Sequence, residues 1–351
     1  MAPPNPLRVC LGFPPFGEPH NLERLNALPG VEAKALPIDE GADWVSLSPG
    51  DPIPEPPPFA LQCAAEREAI LAESHVLATL HTPDRLNERA PALRWVQGAG
   101  AGVEQFGTAG IDPASVTLTN SSGVSAGSMS EWVIGRLLQV WKRFREADEF
   151  QRDHRFERSY GRTFAGSTIG IVGLGHIGKG VAARARALGC RTLGLKRSAT
   201  RGQVSEEVDA LYSLEDLHGM LSECDAVLVS APATDETHHL IDAAALAAIP
   251  RHAVLVNVAR GTLIDEVELA RVMRDDPLAA AVLDVFDPEP LDSKSPLWDL
   301  PNVYVSAHSS VATDRYMEDV FELFYENLER YVAGEPLKNI VDMEKLGFRA
   351  P

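Results

Sequence analysis

Three polar side chains that could share one catalytic site each follow an apolar run in the second half of the chain. Arg260 comes after VLVNVA, Glu289 lies in LDVFDPEP and His308 lies in YVSAHSS. If these runs are neighbouring parallel strands, the three side chains lie at one carboxyl edge, where open α/β sheets bind ligands. Each residue alone is more often a surface ion pair, a solvated loop residue or a structural polar contact. Their joint placement favours a common site.

The chemistry open to these residue types is the reduction of a carbonyl group. A guanidinium such as that of Arg260 can grip a carboxylate through two hydrogen bonds and polarise an adjacent carbonyl. A histidine can protonate the alkoxide that forms when hydride attacks a ketone, and a neighbouring carboxylate keeps the imidazole oriented and protonated near neutral pH. With a nicotinamide as the hydride source, Arg260, Glu289 and His308 predict a reductase of 2-oxo acids.

A dinucleotide cofactor is indicated by the segment TIGIVGLGHIGKGVAARARALGCRTLGLKRS, which spans Thr168 to Ser198. It predicts a buried strand, a G-x-G-x-x-G turn, a helix that ends at Gly189 and a second strand. The glycines allow a tight turn, close approach of a pyrophosphate and close packing of helix on strand, with the phosphates at the helix N-terminus. A βα turn that binds no ligand is the alternative. The cofactor-binding residues predicted in this turn are Gly173, Gly175, His176, Ile177 and Gly178.

The residues after the second strand predict which dinucleotide binds. NAD-selective sites usually have an acidic residue about 20 positions on, which accepts a hydrogen bond from the ribose 2′-OH. Lys196, Arg197 and Ser198 occupy that place. A carboxylate would repel a 2′-phosphate, whereas two cations and a hydroxyl would hold it. The sequence therefore favours NADP, with NAD as the alternative cofactor if these residues form only a solvated basic turn.

Short strands alternate with helices along the chain, a pattern typical of parallel α/β domains. The helix predicted over Ser128–Phe144 is apolar on more than one side, so we expect it to pack against two neighbours. Pro49–Pro58 contains six prolines and predicts a surface loop. The predicted strands are Leu7–Gly12, Ser74–Leu80, Trp95–Gln97, Val116–Thr119, Ile169–Val172, Thr192–Leu195, Ala226–Ser230, Ala253–Val258, Ala280–Val285 and Val303–Ser306. The other predicted helices include Asn21–Leu28, Glu66–Glu73, Glu266–Arg274 and Asp314–Val332, the last stopped by Gly334.

Composition excludes several classes of partner. The 351 residues carry a net charge of −18, which argues against binding nucleic acid or an anionic membrane surface, because both need a basic footprint. There is no run of 18 apolar residues and no export signal, so we expect a cytoplasmic protein that does not enter a membrane. The four cysteines are scattered, without a CxxC pair, and predict reduced thiols with no metal site.

Together the motifs resemble those of the D-isomer-specific 2-hydroxyacid dehydrogenase family, which includes phosphoglycerate dehydrogenase and the glyoxylate/hydroxypyruvate reductases. The resemblance runs from about Trp95 to Asp342. It is strongest at VGLGHIGKGVAARARALG, NVARGTLIDE, LDVFDPEPL and NLERYVAGEPLKNIVD, and several independent motifs in the right order make it specific. The first 90 residues match only loosely.

The resemblance implies a role for each candidate residue. Arg260 would bind the substrate carboxylate and carbonyl, His308 would be the general acid/base and Glu289 its partner. Asp284 would hold the nicotinamide carboxamide. The backbone N–H groups of Gly100, Ala101 and Gly102 would bind the substrate carboxylate, and the remaining cofactor-lining residues would be Pro232, Thr237, Ala259 and Ser310.

The resemblance also implies the architecture: an α/β chain of two Rossmann- or flavodoxin-like domains with parallel sheets. The nucleotide domain, residues 120–307, would be inserted into a substrate domain formed by residues 1–119 and 308–351. The active cleft would lie between them, and two copies would form a homodimer through the nucleotide domain and the helix from Ser128. The sequence departs from the family pattern at two positions. Ala307 stands where the family commonly has proline, and this replacement is expected to loosen the His308 loop. Lys196 replaces the acidic residue after the second strand, as in NADP-preferring members.

The predicted function is therefore reduction of a small 2-oxo acid, such as glyoxylate or hydroxypyruvate, to the D-2-hydroxy acid, and the reverse oxidation. The alternative is a dinucleotide-sensing scaffold like the C-terminal-binding-protein corepressors. The intact triad of Arg260, Glu289 and His308 argues against it. Two other functions are set aside. Formate dehydrogenase, a member of the same family, has a glutamine at the place of Glu289, and in a methyltransferase Arg260, Glu289 and His308 would have no role.

Overall fold

The computed structural model describes residues 4–37, 60–82, 85–103, 106–107, 109–200 and 203–344. Contacts divide the chain into two units: Met1–Val124 with Asp314–Pro351, here unit 1, and Ser125–Thr313, here unit 2. The loop predicted over Pro49–Pro58 lies outside the described residues. Within the described part of the chain, no helix is both long and apolar enough to cross a membrane.

Unit 1 is built on a five-stranded parallel sheet with the strand order β2-β1-β3-β4-β5. Its helices are α1 (Pro19–Asn26), α2 (Ala60–Glu73), α3 (Leu86–Arg89) and α10 (Tyr316–Ala333). Its strands are β1 (Leu7–Leu11), β2 (Val31–Ala35), β3 (Val76–Thr79), β4 (Trp95–Gly98) and β5 (Thr117–Thr119). This is the flavodoxin-like order of an open α/β sheet.

Alternation along the strands of unit 1 builds a core on each face of the sheet. Val9 and Leu11 of β1 belong to one apolar cluster, whereas Cys10 between them belongs to the other. Side chains of a strand point alternately to opposite faces, and helices cover both faces here. The sheet is therefore buried on both sides and exposes its loops at the strand ends.

The C-terminal helix α10 belongs to unit 1 because its apolar stripe completes that core. Phe321, Phe324 and Leu328 are buried, and the Phe324 ring stacks on Phe16 at a centroid distance of 5.6 Å. Burial of each such side chain contributes about 1.5–3 kcal/mol. The helix ends at Gly334, whose φ of 71° is left-handed, as the sequence predicted.

Unit 2 is a seven-stranded parallel sheet with the order β12-β11-β10-β9-β6-β7-β8. Its strands are β6 (Thr168–Val172), β7 (Arg191–Leu195), β8 (Ala210–Tyr212), β9 (Ala226–Val229), β10 (Val254–Asn257), β11 (Ala280–Leu283) and β12 (Val303–Val305). Its helices are α4 (Ala126–Trp141), α5 (Phe144–Arg152), α6 (His176–Ala187), α7 (Leu217–Ser222), α8 (Ala243–Ala248) and α9 (Glu266–Asp275). The chain reverses its direction of travel across the sheet between β6 and β9, which makes the ends of these strands the topological switch point of a Rossmann fold.

The two sheets confirm the predicted fold class, but the end of one predicted helix was wrong and two strands were missed. The helix predicted over Ser128–Phe144 stops at Trp141, because Arg143 adopts a left-handed φ of 57°. Phe144 therefore starts α5 instead of continuing the apolar face, and it is half exposed. The edge strands β2 and β8 were missed, because VEAKA and ALY are short and only partly apolar.

The boundary between the units also differs from the one predicted at residue 308. The break falls at Thr313/Asp314, so the His308 loop belongs to unit 2. The reason is local: the His308 N–H donates to the Asp284 carbonyl at 2.8 Å, and Asp284 follows β11. The loop after β12 is thus fastened to the neighbouring strand of the same sheet.

Candidate active site

The glycine turn after β6 has the close contacts predicted for its spacing. Gly173 has a φ of 101°, and a Cβ there would lie 2.6 Å from the backbone of Ala231, which follows β9. A Cβ on Gly178 would collide with the Gly173 carbonyl oxygen and with Ile171. Both positions need glycine, because a side chain at Gly173 would collide with the loop after β9 and one at Gly178 would push α6 away from β6.

The second glycine of the turn faces open space. A Cβ on Gly175 would meet no atom within 4 Å, and Gly175 precedes the first turn of α6. The first N–H groups of a helix have no intrahelical partner and attract anions. His176 is exposed and Ile177 is half-buried in this first turn. The turn therefore fits a diphosphate group that approaches Gly175.

The basic residues predicted to select NADP follow β7 directly. Lys196, Arg197 and Ser198 are all exposed, and Arg197 pairs with Glu236 at 3.0 Å. The Arg197 and Glu236 side chains are 78% and 61% exposed. An ion pair so open to water is worth only about 0–1 kcal/mol, so Arg197 can exchange Glu236 for a phosphate at little cost. Lys196 has no side-chain partner among the described residues.

The loop after β9 is closed by a threonine. Thr237 Oγ1 donates to the Pro232 carbonyl oxygen at 2.7 Å and accepts from the Thr234 N–H at 2.8 Å. The two predicted cofactor-lining residues of this loop, Pro232 and Thr237, are thus joined in one turn. This turn lies beside the glycine turn, because β9 and β6 are neighbours in the sheet.

Arg260 is fixed by a buried amide that precedes it. The Asn257 side chain is 1% exposed, accepts from the Ala259 N–H at 3.0 Å and donates to the Arg260 carbonyl at 2.9 Å. The Arg260 guanidinium itself donates to the Ala259 carbonyl at 2.7 Å. A Cβ on Gly261 would collide with the backbone at Phe286. The arginine turn is therefore pressed against the loop after β11.

That loop and the next one bring Glu289 and His308 together. His308 Nδ1 lies 2.7 Å from Glu289 Oε1, with 44% and 38% of the two side chains exposed. Because an ionised carboxylate only accepts hydrogen bonds, Nδ1 is the donor in this contact, which leaves Nε2 as the ring nitrogen that Glu289 does not hold. His308 has a φ of 46°, a left-handed conformation that costs a non-glycine residue roughly 1–2 kcal/mol. The surrounding hydrogen bonds hold the residue in this strained conformation.

Asp284 holds the histidine loop. Its carboxylate is fully buried and accepts from the Ser306 hydroxyl at 2.6 Å and from the Ser309 and Ser310 N–H groups at 3.0 Å each. The loop is thus anchored without the proline that Ala307 replaces. The predicted contact of Asp284 with a nicotinamide carboxamide stays a prediction, since both carboxylate oxygens already accept hydrogen bonds.

A buried hydroxyl beside Asp284 fits a polar cofactor group. Ser310 is 2% exposed and its Oγ has no hydrogen-bond partner among the described residues. An unpaired buried hydroxyl costs about 1–3 kcal/mol, which a ligand amide would relieve. With the open space at Gly175, this orphan hydroxyl supports a dinucleotide on unit 2.

Comparison with known proteins agrees with this geometry. Residues 134–310 match the family described as "D-isomer specific 2-hydroxyacid dehydrogenase, NAD binding domain". The glyoxylate reductase of Aeropyrum pernix is 33% identical over 311 residues, which cover 85% of this chain and 90% of that protein. This chain belongs to the D-isomer specific 2-hydroxyacid dehydrogenase family.

Solved structures of the family match nearly the full length of this chain. A family member from Aeromonas salmonicida has a TM-score of 0.79 at 29% identity and covers 96% of this chain and 99% of its own. The NADPH-dependent glyoxylate/hydroxypyruvate reductase of Sinorhizobium meliloti, solved with NADP and sulfate, has a TM-score of 0.75 at 26% identity, with coverage of 97% and 98%. The predicted family, fold and enzyme class, an NAD(P)-dependent oxidoreductase of CH–OH donors, are confirmed.

The predicted substrate loop of the dehydrogenase lies in unit 1 and is fixed through its carbonyl groups. The Gly100 carbonyl accepts from the Ser121 N–H at 2.9 Å, and the Ala101 carbonyl accepts from the Asn120 side chain at 2.7 Å. Because a carbonyl shares its peptide plane with the next N–H, these bonds fix the direction of the Ala101 and Gly102 N–H groups. Their role toward a substrate carboxylate stays a prediction.

Sequence reasoning missed the residues that hold the dehydrogenase loops in place. Asn257, Asn120 and Ser306 are polar residues at or next to strand ends, which is a signal that can be read from sequence. Each forms hydrogen bonds to the loop that carries a predicted site residue. Glu266 was placed in a helix, and its contact with the Glu289 loop was not foreseen.

Proposed function

We propose that this dehydrogenase reduces a small 2-oxo acid, with glyoxylate and hydroxypyruvate as the leading substrates, to the D-2-hydroxy acid. The observation that supports this most directly is the 2.7 Å contact between His308 Nδ1 and Glu289 Oε1, beside the Arg260 turn. Relatives named glyoxylate reductase and glyoxylate/hydroxypyruvate reductase support the same substrate class.

In this proposal unit 2 binds the cofactor. The turn at Gly175 and the start of α6 would hold the diphosphate, while Pro232, Thr237, Ala259, Asp284 and Ser310 would line the rest of the site. A bound reduced nicotinamide supplies a hydride for the carbonyl carbon. The fastened loops keep the proton donor and the arginine at fixed places on the same sheet, so they need no rearrangement during the reaction.

The three polar residues divide the remaining chemistry. Arg260 binds the substrate carboxylate through two charge-assisted hydrogen bonds and polarises the 2-oxo group. His308 donates its Nε2 proton to the developing alkoxide while Glu289 holds Nδ1 and stabilises the imidazolium. In the oxidation direction His308 accepts that proton again. The proposal also keeps the predicted role of the Gly100, Ala101 and Gly102 N–H groups as binders of a substrate carboxylate, with unit 1 as the substrate-binding domain.

The preferred cofactor of the proposal is NADP, with NAD as the weaker alternative. The end of β7 offers two cations and a hydroxyl from Lys196, Arg197 and Ser198. The ion pair of Arg197 with Glu236 is too exposed to keep Arg197 from binding a phosphate instead. Several structural relatives were solved with NADP or NADPH. Charge-assisted bonds are worth about 1.5–3 kcal/mol, so Lys196→Ala should raise the KM for NADPH roughly tenfold or more and leave the KM for NADH nearly unchanged.

The deciding experiment measures oxidation of NADPH and NADH with glyoxylate, hydroxypyruvate, pyruvate and bulkier 2-oxo acids. We expect turnover with NADPH and at least one small acid. His308→Ala should lower kcat by a factor of about 10²–10⁴ without loss of cofactor binding. The control His218→Ala changes an exposed histidine of α7 and should leave kcat unchanged. Binding of NADPH without turnover of any acid would contradict the proposal and favour the corepressor-like scaffold.

We also propose that the protein is a cytoplasmic homodimer that pairs through unit 2. Phe144, Phe156 and Tyr160 are 51%, 109% and 80% exposed, an unusual concentration of bare aromatic rings after α4. Light scattering should give a dimer mass, which Phe156→Ser reduces toward a monomer. Val204→Ser removes an equally exposed apolar side chain elsewhere and should not change the mass.

A further inference from the structure

Glu266 contacts the loop that carries Glu289. It is the first residue of α9, and its Oε1 accepts from the Asp287 N–H at 2.8 Å. Glu289 itself binds the same loop, because its Oε2 accepts from the Phe286 N–H at 3.3 Å. Two carboxylates therefore hold successive N–H groups of one loop.

The start of α9 is fixed independently of this contact. Asp265 caps the helix by accepting from the Glu268 N–H at 3.0 Å. Gly261, at the other end of the preceding turn, lies so close to Phe286 that no side chain would fit. Glu266 thus extends from a rigid base toward a loop that is already in contact with that base.

The charge on Glu266 depends on pH near neutrality. Partial burial raises its pKa to about 7, and the carboxylates of Asp287 and Glu289 act in the same direction. Asp265 precedes Glu266 in the chain and has its carboxylate 3.9 Å from His239 Nδ1, and Glu289 in turn contacts His308. Near neutral pH a large fraction of Glu266 is still protonated, and it becomes an anion as the pH rises.

We propose that Glu266 is a positioning residue for this reaction: it holds the Glu289 loop in place and, as an anion, adds negative charge behind His308. The inference rests on the proposed roles of Glu289 and His308. When Glu266 loses its proton, the added charge favours the imidazolium form of His308. The enzyme therefore keeps its proton donor, and its reductase activity, to higher pH than the His308–Glu289 pair alone would allow.

Two substitutions separate the hydrogen bond from the charge. Glu266→Gln keeps an oxygen that accepts from the Asp287 N–H but cannot ionise. Glu266→Ala removes both. The matched control is Glu268→Gln, which removes a charge from the same helical turn, where Glu268 pairs with Arg271 instead of the loop.

The measurement is kcat/KM for reduction of the best 2-oxo acid with NADPH from pH 5.5 to 9.5. We expect Glu266→Gln to match the parent at pH 6 and to shift the alkaline limb down by about half a pH unit, the size expected for one partly screened charge. The kcat/KM of Glu266→Ala should be about tenfold lower at every pH, because the hydrogen bond to the loop is lost. Glu268→Gln should leave the pH profile of kcat/KM unchanged. An unshifted profile for Glu266→Gln would overturn the inference, as would equal losses for both Glu266 variants.

A second readout does not depend on turnover. NMR titration should show that the His308 ring loses its proton at lower pH in Glu266→Gln than in the parent protein. This result can be obtained even if no 2-oxo acid is reduced, so failure of the proposed function and failure of this inference can be distinguished. Identical titration curves for the two proteins would contradict the role of Glu266.

Discussion

Replacing Asp284 by asparagine tests whether one carboxylate holds the catalytic loop. The side chain accepts three hydrogen bonds, from Ser306 Oγ and from the Ser309 and Ser310 N–H groups. An amide of the same shape has one oxygen and one nitrogen, and the nitrogen can only donate. At least one buried N–H group would then face another donor.

The size of the effect follows from the cost of an unpaired buried group, about 1–3 kcal/mol. Taking about 2 kcal/mol, and about 2–4 °C per kcal/mol for a domain of this size, Asp284→Asn should lower the Tm of unit 2 by about 4–8 °C. Ser306→Ala removes one hydrogen bond worth about 1 kcal/mol and leaves no buried N–H unpaired, so its Tm should fall by only about 2–4 °C. Differential scanning calorimetry of the cofactor-free protein measures both.

Activity provides the second half of this test. The Asp284 carboxylate holds the Ser306 hydroxyl before His308 and two backbone N–H groups after it, so Asp284→Asn should lower kcat at saturating NADPH. Loss of a carboxamide contact alone would instead raise the KM for NADPH and leave Tm unchanged. The reasoning is refuted if Asp284→Asn has the parent Tm and kcat. A change confined to cofactor affinity would assign the residue to nicotinamide binding only.

Three further predictions concern the loops around this site. Gly261→Ala should lower both kcat and Tm, because its methyl group collides with the backbone at Phe286; a parent-like kcat with parent-like Tm would show that the loop yields freely. Ser310→Ala should leave the cofactor-free Tm equal or higher and weaken NADPH binding, measured by calorimetry, because the hydroxyl is unpaired in the protein alone. The raised pKa of Glu266, about 7, means that the folded state binds its proton more tightly than the unfolded state, so stability falls as the pH rises from about 4.5 to about 7. With an allowance for its half-exposed position, ionisation of Glu266 lowers the free energy of unfolding by about 1–2 kcal/mol. Glu266→Gln should therefore have a higher Tm than the parent at pH 8 but not at pH 4.5. An equal Tm difference at both pH values would contradict this.

The fold and the site differ in how far sequence could predict them. The glycine turn and most strands of unit 2 were predicted, because buried parallel strands are continuous apolar runs. The contact between Glu289 and His308 also agrees with the sequence, since side chains that follow neighbouring strands meet at one sheet edge, whereas their catalytic roles stay a prediction. The end of α4 was not, since nothing in the residue type of Arg143 announces a left-handed backbone. That conformation depends on tertiary contacts, which a local pattern does not contain.

The supporting contacts of the site were the least predictable part. Whether Glu266 lies on the surface or against the Glu289 loop depends on how α9 and the loop after β11 meet, two elements that are apart in sequence. The same holds for the carboxylate of Asp284, whose hydrogen bonds from the Ser309 and Ser310 N–H groups were not foreseen. The residue types indicated the chemistry of the site, whereas the hydrogen-bond partners became known only from the three-dimensional structure.

The position of the break at Thr313/Asp314 has a consequence for how such an enzyme can diversify. The proton donor, the arginine and the glycine turn all belong to one continuous stretch of chain, whereas the loop at Gly100–Gly102 belongs to the other unit. Under the proposed roles, mutations that alter which acid is accepted can accumulate in the first hundred residues without disturbing hydride or proton transfer. Substrate preference can therefore change during evolution while the reaction itself is inherited unchanged. Chimeras that test this would exchange residues 1–124 together with residues 314–351, because α10 completes the core of unit 1.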